Sequence, residues 1–263
     1  MGENLTPVLV FGDDGSQGAD VAWLWVNEQQ WPGWRIEVIS VTPAPAGRPP
    51  SEEQASLQPW QPPAPRRYFG TDVAEVAHLT ATADPRAVLG RCTDASLVVI
   101  GPRGRGFFKS LRLGSAAEWL LQCPPAPLLI ARSGRPMRRL LVCIDGSTHA
   151  WRAAQACAAL PLTAGAEVTV LTVAYGGASA DVAGAADLFT AAGATVDVVE
   201  MSPDPLELFY SVRDTVLDVA NERRSDLVVM GTRGNSEWPT LRIGSTASAV
   251  TRYAHASVLL AHA

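Results

Sequence analysis

The sequence predicts an α/β fold made of two tandem, open-sheet Rossmann-like domains, each with a five-stranded parallel sheet. Short segments rich in Val, Ile and Leu alternate with segments of helical pattern along the chain. This alternation is typical of a parallel sheet with right-handed crossovers and helices on both faces. A glycine motif and an aspartate motif also occur twice, 130 or 131 residues apart. A repeat of that length indicates a duplicated domain.

The predicted strands are continuous apolar runs, because a strand covered on both faces needs no polar alternation. They lie at 8–11, 36–42, 73–79, 97–100 and 127–131, and again at 140–144, 168–174, 195–200, 227–230 and 257–261. Predicted helices lie at 20–30, from Asp84 onward, at 115–122, 149–160, 180–192, 205–223 and 245–253. The linker 132–138 contains Gly134 and Pro136. We therefore expect domains at 1–134 and 135–263.

Composition limits the classes of function. The 263 residues suffice for two domains with their own cores. The formal net charge is −5, whereas a protein that grips nucleic acid normally has a basic balance. The sequence has no apolar run of membrane-spanning length and no signal-peptide pattern. We expect a cytoplasmic protein with neither nucleic acid nor membrane as a partner.

Cysteine and histidine side chains follow no metal-binding or disulfide spacing. We expect the cysteines to be small buried residues and the histidines to be structural or on the surface. These residues are Cys92, Cys123, Cys143 and Cys157, with His78, His149, His255 and His262.

The glycine motif has the form Gly-x-x-Gly, nine residues, then Gly-Ser, and each copy follows a predicted buried strand. The copies are Gly101, Gly104, Gly114 and Ser115 in the first half, and Gly231, Gly234, Gly244 and Ser245 in the second. An Asp-Gly-Ser sequence follows the first strand of each half. These copies are Asp14-Gly15-Ser16 and Asp145-Gly146-Ser147.

Both motifs fall beyond the carboxyl ends of strands, where open parallel sheets bind their ligands. Glycine lets backbone N–H groups approach an anion, and a helix N-terminus adds unpaired donors and partial positive charge. We therefore predict a phosphate cradle at each copy. The nine intervening residues would form a flap, at 105–113 in the first half and 235–243 in the second. The sequence contains neither the Walker motif of P-loop NTPases nor the Gly-x-Gly-x-x-Gly fingerprint of dinucleotide-binding domains.

Together the motifs resemble the ATP-binding class of the universal stress protein family, of the tandem two-domain type. The resemblance covers nearly the whole chain, twice. It implies that ATP, with or without Mg²⁺, is the ligand, and that the protein is a stress-response sensor or regulator without efficient catalysis. It also implies pairing of the two domains through their last strands with approximate two-fold symmetry, and it leaves a homodimer open.

The same resemblance implies which residues contact the nucleotide. Adenine would lie beside Asp14 and Val41, or Asp145 and Val173. The ribose would lie on Gly101 and Gly104, or on Gly231 and Gly234. Arg103 and Arg233 of the same turns are also expected to contact the nucleotide. The phosphates would meet Gly114, Ser115 and Ala116, or Gly244, Ser245 and Thr246.

The two flaps differ in charge. The first contains Arg105, Lys109 and Arg112, whereas the second has Arg242 opposed by Glu237. We expect the first site to bind ATP more tightly, although Pro102 removes one backbone donor there.

Other interpretations remain open. The motifs can form tight turns and helix caps without a ligand, with the aspartates closing their own turns. The chain would then be a nucleotide-free scaffold with degenerate sites. An enzyme of the ATP-pyrophosphatase type is disfavoured, because no Ser-Gly-Gly-x-Asp-Ser loop follows the first strand.

A proline-rich stretch at 43–65 contains eight prolines and cannot form a regular helix. It would be either a segment recognised by a polyproline-binding partner or, as we favour, an elongated loop packed on its own domain through Trp60.

Overall fold

The computed structural model describes residues 6–44, 56–62, 64, 66–70, 72–104, 113–173, 181–201, 211–234 and 243–263. It divides into two compact units, Met1–Gly134 and Arg135–Ala263. In each unit, parallel strands are covered by helices, which confirms the predicted α/β class.

The first unit contains the five predicted parallel strands and one addition. Its elements are β1 (Val8–Gly12), α1 (Gln17–Glu28), β2 (Arg35–Thr42), β3 (Gln58–Pro59), β4 (Glu75–Thr82), α2 (Pro85–Leu89), β5 (Leu97–Ile100), α3 (Ser115–Gln122) and β6 (Leu128–Ile130). The strand order is β3-β4-β2-β1-β5-β6. All pairs are parallel except that of β3, which lies antiparallel to β4.

The second unit repeats this arrangement without the added strand. Its elements are β7 (Arg139–Cys143), α4 (Thr148–Ala158), β8 (Glu167–Val173), α5 (Val182–Ala191), β9 (Thr195–Met201), α6 (Val212–Glu222), β10 (Leu227–Gly231), α7 (Ser245–Tyr253) and β11 (Ser257–Ala261). The order is β11-β10-β7-β8-β9, and every pair is parallel. The predicted helix at 205–223 begins later, at Val212, and 202–210 lie outside the described residues.

The central strands are buried along their whole length, as their continuous apolar sequences predict. All four residues of β5 and all five of β10 are buried. In the first unit, the tryptophans after α1 complete the core. Trp31 packs between Trp25 and Trp34, with ring centroids 5.8 and 5.2 Å away, and its indole N–H donates to the Val26 carbonyl at 2.8 Å. These tryptophans therefore pack around the first helix and the turn that follows it.

The described part of the proline-rich stretch packs on its own unit. The Trp60 amide donates to the carbonyl of His78 on β4 at 3.0 Å, and the Trp60 indole N–H donates to Ala64 at 3.2 Å. The guanidinium of Arg66 lies over the Trp60 ring, 5.3 Å from its centroid. These contacts favour the interpretation as a packed loop over that of a free recognition segment; 45–55, 63 and 65 lie outside the described residues.

Strand order reverses at the first strand of each unit. In the first unit β1 lies between β2 and β5, and in the second β7 lies between β8 and β10. The loops after β1 and β5 therefore leave the sheet side by side, as do those after β7 and β10. This is where an open parallel sheet binds its ligands. The pairing of the two units through 127–131 and 257–261 stays a prediction.

Candidate functional sites

The Asp-Gly-Ser turn has the same geometry in both units. Gly15 and Gly146 adopt φ of 67° and 81°, a conformation that only glycine adopts at little cost. The amide of Ser16 donates to Asp14 Oδ1, and that of Ser147 to Asp145 Oδ1, each at 3.0 Å. Both aspartates therefore close their own turns as Asx residues, the role that the ligand-free interpretation gives them.

The serine of each turn has a structural role that the sequence analysis missed. Ser16 caps α1 by accepting from the Ala19 amide at 3.1 Å, and its hydroxyl donates to the Arg103 carbonyl at 3.1 Å. Ser147 caps α4 by accepting from the Ala150 amide at 3.1 Å and donates to the Arg233 carbonyl at 3.3 Å. One hydroxyl thus joins the turn, the helix and the glycine loop. A serine at the N-cap position is the sequence signal for half of this role.

The first glycine of each motif is required by the protein's own packing. A Cβ on Gly101 would overlap the Gly18 carbonyl oxygen of α1, and one on Gly231 would lie 2.5 Å from the Ala150 nitrogen of α4. We explained these glycines from sequence by the approach of a ligand. The structure gives a different reason, since the space is filled by the first helix of each unit. Ribose contact at these positions stays a prediction.

The second glycine of each motif lies against the aspartate carboxylate. The Cβ position of Gly104 is filled by Asp14 Oδ2, and that of Gly234 lies 2.6 Å from Asp145 Oδ2. The structure therefore brings together two predicted site residues in each unit. Any larger residue here would displace the carboxylate.

The third glycine of each motif begins the next helix. Gly114 and Gly244 are the N-caps of α3 and α7, with extended backbone and no side-chain cap. Each donates its N–H back to the glycine loop, to the carbonyl of Pro102 or Thr232, at 2.8 Å. Consequently Ser115 and Ser245 are the first helical residues. The amides of a first helical turn have no intrahelical partner, and together with the helix dipole they favour an anion.

Each aspartate turn also lies beside the strand that carries the predicted adenine neighbour. The Asp13 amide donates to Ile39 on β2 at 3.0 Å, and the Ile144 amide donates to Leu171 on β8 at 2.9 Å. Val41 and Val173 are half-buried and lie two residues further along these strands. The basic and acidic residues of the flaps lie outside the described residues, at 105–112 and 235–242.

The second site contains a histidine pair that the sequence analysis did not foresee. His149 and His262 have ring centroids 4.7 Å apart. The Ala263 amide donates to His149 Nδ1 at 2.8 Å, so the neutral ring carries its proton on Nε2. His262 Nδ1 lies 3.1 Å from the hydroxyl of Thr232, inside the second glycine motif. The sequence did not indicate this pairing, because α4 and the end of β11 are distant in sequence and adjacent in the fold.

Burial and neighbouring charge lower the pKa of both rings. For His149 burial is the largest cause, Arg233 lowers the pKa further, and Asp145 opposes them. For His262 burial acts first, followed by His149 and Arg233. Both rings therefore stay neutral at a pH low enough to protonate a free histidine. Protonation of His149 at Nδ1 would break its hydrogen bond from the Ala263 amide.

We expect this histidine pair to make the stability of the second unit depend on pH. A histidine whose folded-state pKa is lowered binds fewer protons in the folded protein than in the unfolded chain. The free energy of unfolding therefore decreases as the pH decreases. We expect the free energy of unfolding to be level above about pH 6.5, to fall from there to the lowered pKa values, and then to level off. Urea unfolding at a series of pH values measures this. The double variant His149→Gln/His262→Gln should lose less stability than the wild type as the pH falls, whereas His255→Gln should lose as much as the wild type. Identical profiles for both variants would contradict the prediction.

Two negative observations concern the described part of the chain alone. None of its helices has the length and apolar character needed to cross a membrane. Over the same residues, no three His, Cys, Asp or Glu side chains are grouped so that they could hold a metal ion.

Comparison with known families decides the assignment of the second unit. The profile of the universal stress protein family matches residues 136–262. The second unit is a universal stress protein domain. Two curated universal stress proteins of Mycobacterium tuberculosis are 28% identical over 136 residues, which is 49% of this chain and 40% of their own length. The match therefore spans less than half of those relatives.

Solved structures extend the likeness to both units. A universal stress protein of Archaeoglobus fulgidus aligns over 98% of this chain and 99% of its own, with 20% identity and a TM-score of 0.67. One from Pseudomonas aeruginosa aligns over 98% of this chain and 94% of its own, with 16% identity and a TM-score of 0.54. At these identities the likeness concerns the fold alone. Both units thus share the fold of solved universal stress proteins, and the family profile matches the second unit.

Proposed function

We propose that this protein binds ATP at the carboxyl ends of β1 and β5, and of β7 and β10, and acts as a nucleotide-dependent regulator of a stress response. One observation carries the proposal. In each unit the serine hydroxyl joins the aspartate turn to the glycine loop, and the N-cap glycine amide joins that loop to an open helix N-terminus, through the same hydrogen bonds. Such repetition of an anion-favouring cradle is expected when both copies descend from a binding domain.

The helix N-termini are the phosphate-binding part of the proposal. At α3 and α7 the N-cap is glycine without a capping side chain, so the first-turn amides keep their capacity for an external acceptor. Phosphate oxygens suit these donors and the positive end of the helix dipole. The neighbouring arginines Arg103 and Arg233 place a cation in each glycine loop.

The aspartates and strand ends form the nucleoside part. Asp14 and Asp145 are acceptors for ribose hydroxyls or the adenine amino group, and Val41 and Val173 offer apolar contact to the base. Each cradle supplies one carboxylate. A Mg²⁺ ion would therefore be held largely by phosphate oxygens and water, as this ion prefers.

We also propose that the protein does not hydrolyse ATP efficiently. The described hydroxyl–imidazole pair nearest to a glycine motif is Thr232 with His262, at 3.1 Å. Thr232 is 0% exposed, so its oxygen could not reach a bound phosphate. We expect ATP turnover far below the usual enzymatic range of about 1–10³ s⁻¹, measured as phosphate released under multiple-turnover conditions. Turnover within that range, lost in Asp14→Asn or Asp145→Asn, would contradict the non-catalytic role.

A nucleotide-free scaffold is the second candidate. It is favoured by the packing of Gly101 and Gly231 against their helices, which explains these two glycines without a ligand. Mass spectrometry of the supernatant after denaturing the purified protein separates the two candidates. We expect an adenine nucleotide to be released in stoichiometric amount, or bound after ATP is added to a nucleotide-free sample. Neither release nor binding would favour the scaffold.

A further inference from the structure

The first unit contains a buried carboxylate that the nucleotide site does not itself use. Asp13 follows β1, and its side chain is 0% exposed. Arg67 binds it with two hydrogen bonds, from Nε to Oδ2 at 2.7 Å and from a terminal nitrogen to Oδ1 at 3.0 Å. A buried carboxylate is costly without such a partner, so the position of Asp13 depends on that of Arg67.

Arg67 belongs to a short segment, residues 66–70, that runs along α1 and is here called the α1 strap. Arg67 also binds Asp20 at 2.7 Å, and its guanidinium lies 5.3 Å from the centroid of the Trp23 ring. Further along, the Trp23 indole donates to the Tyr68 carbonyl at 3.1 Å, and the Gly70 amide donates to Asn27 at 3.0 Å. The strap therefore lies along a single face of α1, formed by Asp20, Trp23 and Asn27.

The side chain of Asp13 connects the strap to the nucleotide site. Asp13 Oδ1, which binds Arg67, also accepts from the Gly15 amide at 2.9 Å. Gly15 is the residue of positive φ in the turn that presents Asp14. A chain of direct bonds thus runs from Arg67 through Asp13 to the turn. The carboxylate of Asp14, which follows Asp13, lies against Gly104.

The second unit builds the same turn without this connection. Ile144 takes the place of Asp13 and is 3% exposed, and its amide pairs with β8 as that of Asp13 pairs with β2. The Asp145 turn forms there with an apolar side chain in place of the ion pair. The ion pair is therefore not needed to fold the turn, and it is a feature of the first unit alone.

We propose that Arg67 is a positioning residue of the first site, which couples the α1 strap to the affinity of that site for nucleotide. The inference rests on the proposed ATP-binding function. With the strap in place, Arg67 holds Asp13 and the turn in the geometry that binds nucleotide. Displacing the strap weakens nucleotide binding in the first unit and leaves the second unaffected. By linkage, nucleotide bound at the first site holds the strap in place to the same degree.

The test measures the first site alone, in a parent protein that carries Gly244→Glu to block the second. Into this parent we introduce Asp13→Ile/Arg67→Met, which copies the apolar arrangement of the second unit. Replacing a buried ion pair with apolar residues of similar volume is often neutral for stability, so we expect an unchanged urea midpoint. ATP affinity, measured by titration calorimetry, should stay close to that of the parent, because the turn then forms as it does in the second unit, without the strap. Arg223→Met, which removes the exposed pair with Asp197, is the control and should change neither quantity.

Arg67→Lys leaves Asp13 in place and keeps the charge, but it loses the two-bond geometry that positions the turn. It should weaken ATP binding about fivefold at an unchanged urea midpoint. Tryptic cleavage after Arg66 gives a second measurement. ATP should slow it in the parent, but not in a Gly114→Glu variant or in Asp13→Ile/Arg67→Met. Unchanged affinity in Arg67→Lys, or cleavage insensitive to ATP in an ATP-binding parent, would overturn this inference alone. A parent that binds no ATP would overturn the proposed function and this inference with it.

Discussion

Replacing Gly101 with alanine is expected to lower the free energy of unfolding of the first unit by about 3 kcal/mol. The added Cβ would overlap the Gly18 carbonyl oxygen and lie 2.9 Å from the Ala19 nitrogen. Both are backbone atoms of α1, which cannot rotate aside as a flexible side chain could. The helix would have to move away from the end of β5, and the Ser16 bond to the Arg103 carbonyl would be strained.

Urea unfolding measures this effect, with Gly70→Ala as the matched control. No atom of the described residues lies within 4 Å of the Cβ that alanine would add at Gly70, so this variant should differ from the wild type by less than about 0.5 kcal/mol. Gly231→Ala, whose Cβ would lie 2.5 Å from the Ala150 nitrogen, should destabilise the second unit comparably. If Gly101→Ala unfolds at the same urea concentration as Gly70→Ala, the packing explanation of this glycine is wrong.

The second large effect concerns nucleotide affinity at the two cradles. Gly114→Glu places a carboxylate where the phosphates are proposed to bind, and juxtaposed like charges cost several kcal/mol. Since about 1.4 kcal/mol is tenfold in affinity, binding at the first site should weaken more than a hundredfold. Gly244→Glu should act in the same way on the second site. We expect the first to be the tighter site, because Arg105, Lys109 and Arg112 lie in its flap.

Titration calorimetry with ATP on the two single variants tests this ranking. His255→Glu adds the same charge at an exposed residue outside both cradles, and it should bind as the wild type does. Gly114→Glu should lose the high-affinity phase and Gly244→Glu should keep it. The opposite pattern, with binding lost in Gly244→Glu and intact in Gly114→Glu, would reverse the ranking.

Sequence patterns predicted the elements whose formation depends on local signals. The strand at 97–100 and the helices at 115–122 and 245–253 have the predicted bounds. A buried central strand is a continuous apolar run, and a Gly-Ser pair after a loop is a local start signal for a helix. The switch-point placement of the motifs followed from the order of these elements, because parallel topology restricts where their loops can meet.

The remaining features depend on contacts between residues distant in sequence. Arg67 and Asp13 are 54 residues apart, and neither residue has a neighbour in sequence that indicates the pair. His149 and His262 come together only because α4 lies against the end of β11. The packing of Gly101 on α1 likewise requires the distance between a strand and a helix, and the glycine itself is equally consistent with a ligand. Such contacts could not be predicted without the three-dimensional arrangement.

Titration calorimetry with ATP on the nucleotide-free wild-type protein and on the double variant Gly114→Glu/Gly244→Glu tests the central claim most directly. Our account predicts saturable binding by the wild type, with up to two nucleotides per chain, and no binding by a double variant that unfolds at the same urea concentration. Absence of binding in the wild type, or equal binding by the folded double variant, would contradict it.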